Sequence, residues 1–153
     1  MGCWGPGPFD SDTAADYAHE VRSASDLEAR ADVLHFAMRN LVQAEELTLH
    51  RYEDYELESV VERAVAAVAF IADRVRDRCH WTDTSFARGC KREEPYDLLP
   101  PVELAPVTDP LWVCAMAALD KVQHLLLTDD SAGEYVKILG ELRDDLRQHE
   151  PTD

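Results

Sequence analysis

The chain is short of cations. Its 153 residues hold 15 lysines and arginines against 31 aspartates and glutamates, a formal charge of −16. A protein this poor in basic side chains lacks the positive face that nucleic acid phosphates or anionic lipid require. Neither nucleic acid nor a membrane is therefore expected as a partner; a basic protein or a metal cation is what the charge admits. Long apolar runs are missing too: no stretch approaches the ~18 to 20 uninterrupted apolar residues of a membrane span. Met1 to Phe9 has no basic start and no apolar run, so no signal peptide is read there. Pro6 stands where a myristoylation signal wants Ser or Thr. Cysteine is limited to Cys3, Cys79, Cys90 and Cys114, in scattered contexts. A cytoplasmic location, which would keep them reduced, is the expectation. Phosphate-binding glycine loops, H-E-x-x-H and the nucleophile elbow are all absent. So are internal repeats and any strand with clear alternation.

What is present is helical. The length suits one domain over residues 1–153, and a hydrophobic fraction of 46% is enough for a real core. The organising stretch is Val60 to Val75, VVERAVAAVAFIADRV, which is apolar around most of a helix and rich in alanine. Such a helix must be covered on several sides. It is expected to run from about Leu57 to about Arg78, with Arg74, Arg76 and Arg78 complementing the dipole at its end.

The other helices follow from their caps and stripes. Thr13 and Asp16 have capping-box spacing, ahead of a stripe of Ala14, Tyr17, Ala18, Val21 and Ala24. Ser25 and Glu28 form a second box, leading into Leu27, Ala31, Leu34, Met38 and Leu41. Asp109 as N-cap and Pro110 as first residue open another helix, with Leu111, Cys114, Ala118, Val122 and Leu125 inward. Ser131 and Glu134 begin the last, whose stripe is Tyr135, Ile138, Leu139, Leu142 and Leu146. The turn Thr128 to Asp130 is short, so these two helices should pair antiparallel. The fold expected is all-α: a compact bundle of about five helices around the central one. Three segments are not helix. Residues 1–10 read as an ordered Gly/Pro-rich arm anchored by Trp4 and Phe9. Residues 79–106 form a long loop, and residues 149–153 a tail after the last helix.

Three stretches carry a family resemblance. MGCWGPGPFDSDTAADYA resembles the opening of the bacterial family called domain of unknown function 4259, where Met-Gly-x-Trp-Gly-x-Gly-Pro-Phe-x-x-Asp leads into the first helix. ELESVVERAVAAVAFIADRV is similar to the alanine-rich central helix of that family, and LTDDSAGEYVKILGELRDDL to its C-terminal segment. Cys3 departs from the usual small residue and Tyr17 from the common Trp. The last helix lacks the tryptophans of the family, and the 79–106 loop is longer and richer in cysteine. The resemblance implies a bacterial, soluble, small helical domain and no particular chemistry.

Candidate sites are few. Cys79, His80 and Cys90 share one loop and are the residues a zinc ion would use, with Cys3 or Cys114 as a fourth. Their spacing is not that of a paired-cysteine site, and separate free thiols are the reading adopted: no metal and no cofactor are expected. Asp10, Asp12 and Asp16 could gather a hard cation, but helix capping accounts for them. His19, His35, His50, His124 and His149 are dispersed.

The densest feature is Glu45 to Glu58, where six carboxylates face Arg51 alone and two tyrosines lie among them. Carboxylates speed encounter with a basic partner, and tyrosines supply contact area. Glu46, Tyr52, Glu53, Asp54, Tyr55 and Glu56 are therefore the expected partner-binding residues of a non-enzymatic, immunity-like interaction protein. Two alternatives stay open: a small-ligand or metal-dependent enzyme with a pocket under the 79–106 loop, and a structural accessory domain without ligand. A basic zone from Arg74 to Arg92 offers a competing surface for an anionic partner.

Overall fold

A computed structural model describes residues 12–43, 54–77, 81, 103–126 and 133–149. Among them are five α-helices and no strand, so the all-α expectation holds. They are α1 (Asp12–Ser23), α2 (Leu27–Val42), α3 (Asp54–Arg76), α4 (Asp109–Leu126) and α5 (Gly133–Leu146), the last continued by a single 3-10 turn, Arg147–His149. Trp4 and Phe9 of the arm lie outside the described residues, as do Ser131 and the turn Thr128 to Asp130.

The central position of α3 follows from its side chains. Ten consecutive residues, Ala64 to Asp73, are buried. No one-sided stripe produces such a run; it needs neighbours on every side. Alanine at 64, 66, 67, 69 and 72 lets those neighbours approach closely, and α3 touches α1, α2, α4 and α5. The larger volumes come partly from α3 itself, through Phe70 and Ile71, and partly from Leu34, Met38, Leu41, Leu119, Leu139 and Leu142 on its neighbours.

The helix is displaced toward the N-terminus from its expected span. It starts at Asp54 rather than Leu57 and ends at Arg76 rather than Arg78. Asp77 explains the end. It takes a left-handed backbone, φ 52°, and its N–H turns back to the carbonyl of Arg74 at 3.2 Å. A left-handed residue at this place stops a helix.

Two caps fall one residue from the expected ones. Helix α2 is capped by Asp26, not Ser25: Asp26 is extended and its carboxylate accepts from the Ala29 N–H at 2.8 Å. The negative charge gives Asp26 an advantage over a neutral Ser25 at the positive helix end. Helix α4 is capped by Thr108, not Asp109. The Thr108 hydroxyl accepts from the Leu111 N–H and its carbonyl from the Trp112 N–H. At the first helix, Thr13 lies inside α1 and does not cap it.

The stripes are otherwise close to expectation. In α1, Ala14, Tyr17, Ala18 and Val21 are buried; in α2, Leu34, Ala37, Met38 and Leu41. Leu27 is the exception, exposed at the start of α2. In α4 the core face rotates slightly: Ala115 and Leu119 are buried, whereas Cys114 is half-buried. Helices α4 and α5 run antiparallel, as their contacts show. Trp112 near the start of α4 donates its indole N–H to the Leu146 carbonyl at the end of α5, 2.7 Å away. Arg143 pairs with Asp120 farther along α4.

Candidate functional site

Much of the expected partner surface lies outside the described residues, including Glu46, Tyr52 and Glu53. Asp54, Tyr55 and Glu56 are placed in the first turn of α3; their side chains are outside the described residues. Asp54 to Glu58, the last part of the acidic segment, thus belong to α3 itself. Cys79, His80 and Cys90 also lie outside. Asp10 does too, while Asp16 is exposed on α1. Among the described residues, no three His, Cys, Asp or Glu side chains are grouped to hold a metal ion.

The basic zone is partly used within the fold. Arg74 donates through Nε to the Leu104 carbonyl at 3.1 Å. Arg76 stands 3.9 Å from the carboxylate of Asp145. Arg88, Lys91 and Arg92 lie outside the described residues.

Among the described residues, two hollows lie along helix α2. Its apolar row Leu27, Ala31 and Leu34 runs beside a polar row Glu28, Asp32 and His35, each at helical spacing i, i+4, i+7. Both rows line a groove of about 480 Å³. The opposite wall is the segment Leu104 to Thr108 with Pro110 and Leu111, and Ile71 of α3 also contributes. Leu104 to Pro106 of this wall belong to the 79–106 segment; the rest of that segment, apart from Trp81 and Glu103, lies outside the described residues. The wall is fixed by two guanidinium groups: Arg30 donates to the Glu103 carbonyl at 2.7 Å, and Arg74 to that of Leu104.

A second hollow, of about 330 Å³, lies across the crest of α2. Tyr17, Glu20, Phe36, Asn40 and Arg63 line it, and Asp32 borders both hollows. Phe36 is 68% exposed, the most exposed large apolar side chain of the described residues. Sequence reasoning passed over it, although the signal was available: Phe36 is a large apolar residue off the α2 stripe. Beneath it Tyr17 is buried and donates its hydroxyl to the Val33 carbonyl at 3.0 Å. Burial first, and then the nearby Glu20 carboxylate, push the Tyr17 hydroxyl far above its ordinary range, with Arg63 opposing weakly. Tyr17 is a neutral hydrogen-bond donor, not an acid or base.

Two buried carboxylates remain. Asp73 accepts from the Trp81 backbone N–H with both oxygens, at 3.1 and 3.0 Å. Asp145 accepts from the Trp81 indole N–H at 2.9 Å. The arrangement fastens the end of α3 to α5 through one tryptophan, and both carboxylates are engaged in doing so. Cys114 is half-buried, and burial raises its thiol while Arg39 opposes, the opposite of what an activated nucleophile needs.

No helix among the described residues is long and apolar enough to cross a membrane. No curated protein and no solved structure matches the chain. The family described as domain of unknown function (DUF4259) does match, over residues 2–124. That span takes in the Trp-Gly-x-Gly-Pro-Phe opening, helices α1 to α3 and most of α4. It stops before α5, so the likeness of LTDDSAGEYVKILGELRDDL lies beyond it. With most of its length matched, the chain belongs to the DUF4259 family.

Proposed function

We propose that this chain is a non-enzymatic interaction protein, immunity-like in kind, that binds a basic protein through an acidic face with aromatic anchors. The observation that carries the reading is Phe36, a 68% exposed ring on α2. It shares its hollow with Glu20 and Asp32. An exposed aromatic set among carboxylates suits a partner with an apolar contact ringed by lysine or arginine. The segment Glu45 to Glu58 begins just after α2 and extends the same acidic character. Carboxylates in this density repel one another, and a basic partner relieves that repulsion.

The test is capture from the native host with the full chain, followed by identification of the partner and rate measurements on the purified pair. A basic partner is expected, with association slowing as salt rises, because screening shortens to roughly 8 Å at physiological ionic strength. Reversing Glu53 and Asp54 to Lys should slow association, whereas Phe36→Ala should mainly speed dissociation. A partner kept by both variants but lost on reversing Arg88 and Arg92 would transfer the function to the basic zone.

The groove between α2 and residues 103–108 supports a second reading, small-ligand binding. Its volume of about 480 Å³ is within the range of small-molecule sites.

A further inference from the structure

Taking that second reading as its basis, the geometry points to a ligand class: we propose that the α2 groove binds a small organic cation, a short alkyl or aryl body carrying one ammonium group. The floor and one flank are apolar, from Leu27, Ala31, Leu34, Ile71, Leu104 and Leu111. They set the apolar body of the ligand. The polar row of α2 sets its charge. Glu28 and Asp32 are exposed, one helical turn apart, and among the described residues neither meets a cation. Arg30 and Arg74, which bind the Glu103 and Leu104 carbonyls, are not among the residues that line the groove.

Hydrogen bonding selects in the same direction. Pro106 and Pro110 in the opposite wall have no N–H to offer. The charged side chains that line the groove are the Glu28 and Asp32 carboxylates, which only accept, while the His35 ring and the Thr108 hydroxyl are its side-chain donors. An ammonium group, which only donates, fits the groove; a carboxylate or phosphate, which only accepts, would face Glu28 and Asp32 unpaired. The groove and the Phe36 hollow lie on either side of the α2 crest and share Asp32, so a cation held in the groove and a basic protein at Phe36 would draw on the same carboxylate.

The experiment uses the full chain, labelled with nitrogen-15, titrated with hexylammonium, hexanol and hexanoate and followed by amide shifts. Hexylammonium should bind saturably, with shifts at Ala31, Leu104, Val107 and Leu111, and at least about tenfold more tightly than hexanol, a difference of about 1.4 kcal/mol. Hexanoate should not bind. Asp32→Asn and Glu28→Gln should each weaken hexylammonium by about threefold to tenfold, and Ala31→Trp, which fills the groove, should abolish binding while circular dichroism stays helical; Phe36→Ala should change nothing. Equal binding of hexanol or hexanoate at the same residues would overturn the cation assignment and leave the groove as a ligand site. Absence of binding by all three, or hexylammonium shifts that persist in a folded Ala31→Trp variant, would overturn both.

Discussion

The indole N–H of Trp81 donates to the carboxylate of Asp145 at 2.9 Å, joining residues 64 positions apart. Both side chains are buried. Trp81→Phe keeps most of the ring and removes the donor, so Asp145 loses one bond of its set. The expected loss is about 1.5 to 3 kcal/mol, the range for hydrogen bonds to charged groups. Trp81→Ala should cost more, about 3 to 5 kcal/mol, because it also empties a large site. Urea unfolding of the two variants measures both values. Equal stability of wild type and Trp81→Phe would show that the bond contributes nothing.

Ala69 tests how closely the helices approach α3. It is fully buried, and a leucine there adds three carbons to a face of α3 that other helices cover. Ala69→Leu should destabilise by about 1 to 3 kcal/mol or prevent folding. A thermal melt unchanged from wild type would mean that the alanines of α3 are not dictated by packing.

Gly140 gives the opposite case. It sits within α5, and a Cβ built on it meets nothing within 4 Å. Gly140→Ala should therefore stabilise by about 0.5 to 1 kcal/mol, from helix propensity and reduced freedom of the unfolded chain. Destabilisation in the same melt would show that the position is closed.

Tyr17 predicts a dependence on alkaline pH. Its hydroxyl is raised by burial and by Glu20, so the folded state holds a proton that the unfolded state releases near pH 10. Its contribution is complete below that pH and declines as pH rises above it, by up to about 1.4 kcal/mol per unit. Tyr17→Phe should lose about 0.5 to 1.5 kcal/mol at neutral pH with the Val33 bond, and should show a shallower decline above pH 10. Parallel pH profiles for the two proteins would contradict this.

The helices were legible in the sequence where one physical signal dominated. The burial of α3 followed from its lack of polar residues, and the stripes of α1, α2 and α5 from spacing alone. The caps of α2 and α4 were blurred because adjacent residues compete: Ser25 beside Asp26, Thr108 beside Asp109. Which one adopts the extended backbone depends on how the chain arrives. Trp81 could not be read in advance, since its partners Asp73 and Asp145 come from two different helices. The α2 groove was half legible. Its polar row was visible as spacing, but its second wall depends on Arg30 and Arg74 gripping carbonyls, and carbonyls carry no sequence signal. Phe36 carries a weaker signal in the sequence than the dense charge of Glu45 to Glu58, being one apolar ring off the α2 stripe.

The placement of α3 also governs how the molecule comes apart. Each of the other described helices rests on it, so removing any one of them bares part of Ala64 to Asp73 to water. Partial opening is then costly wherever it begins, and the bundle should unfold as one cooperative unit. The amide protons of Ala66 to Ala72 should be the last to exchange with solvent, with a protection equal to that of global unfolding.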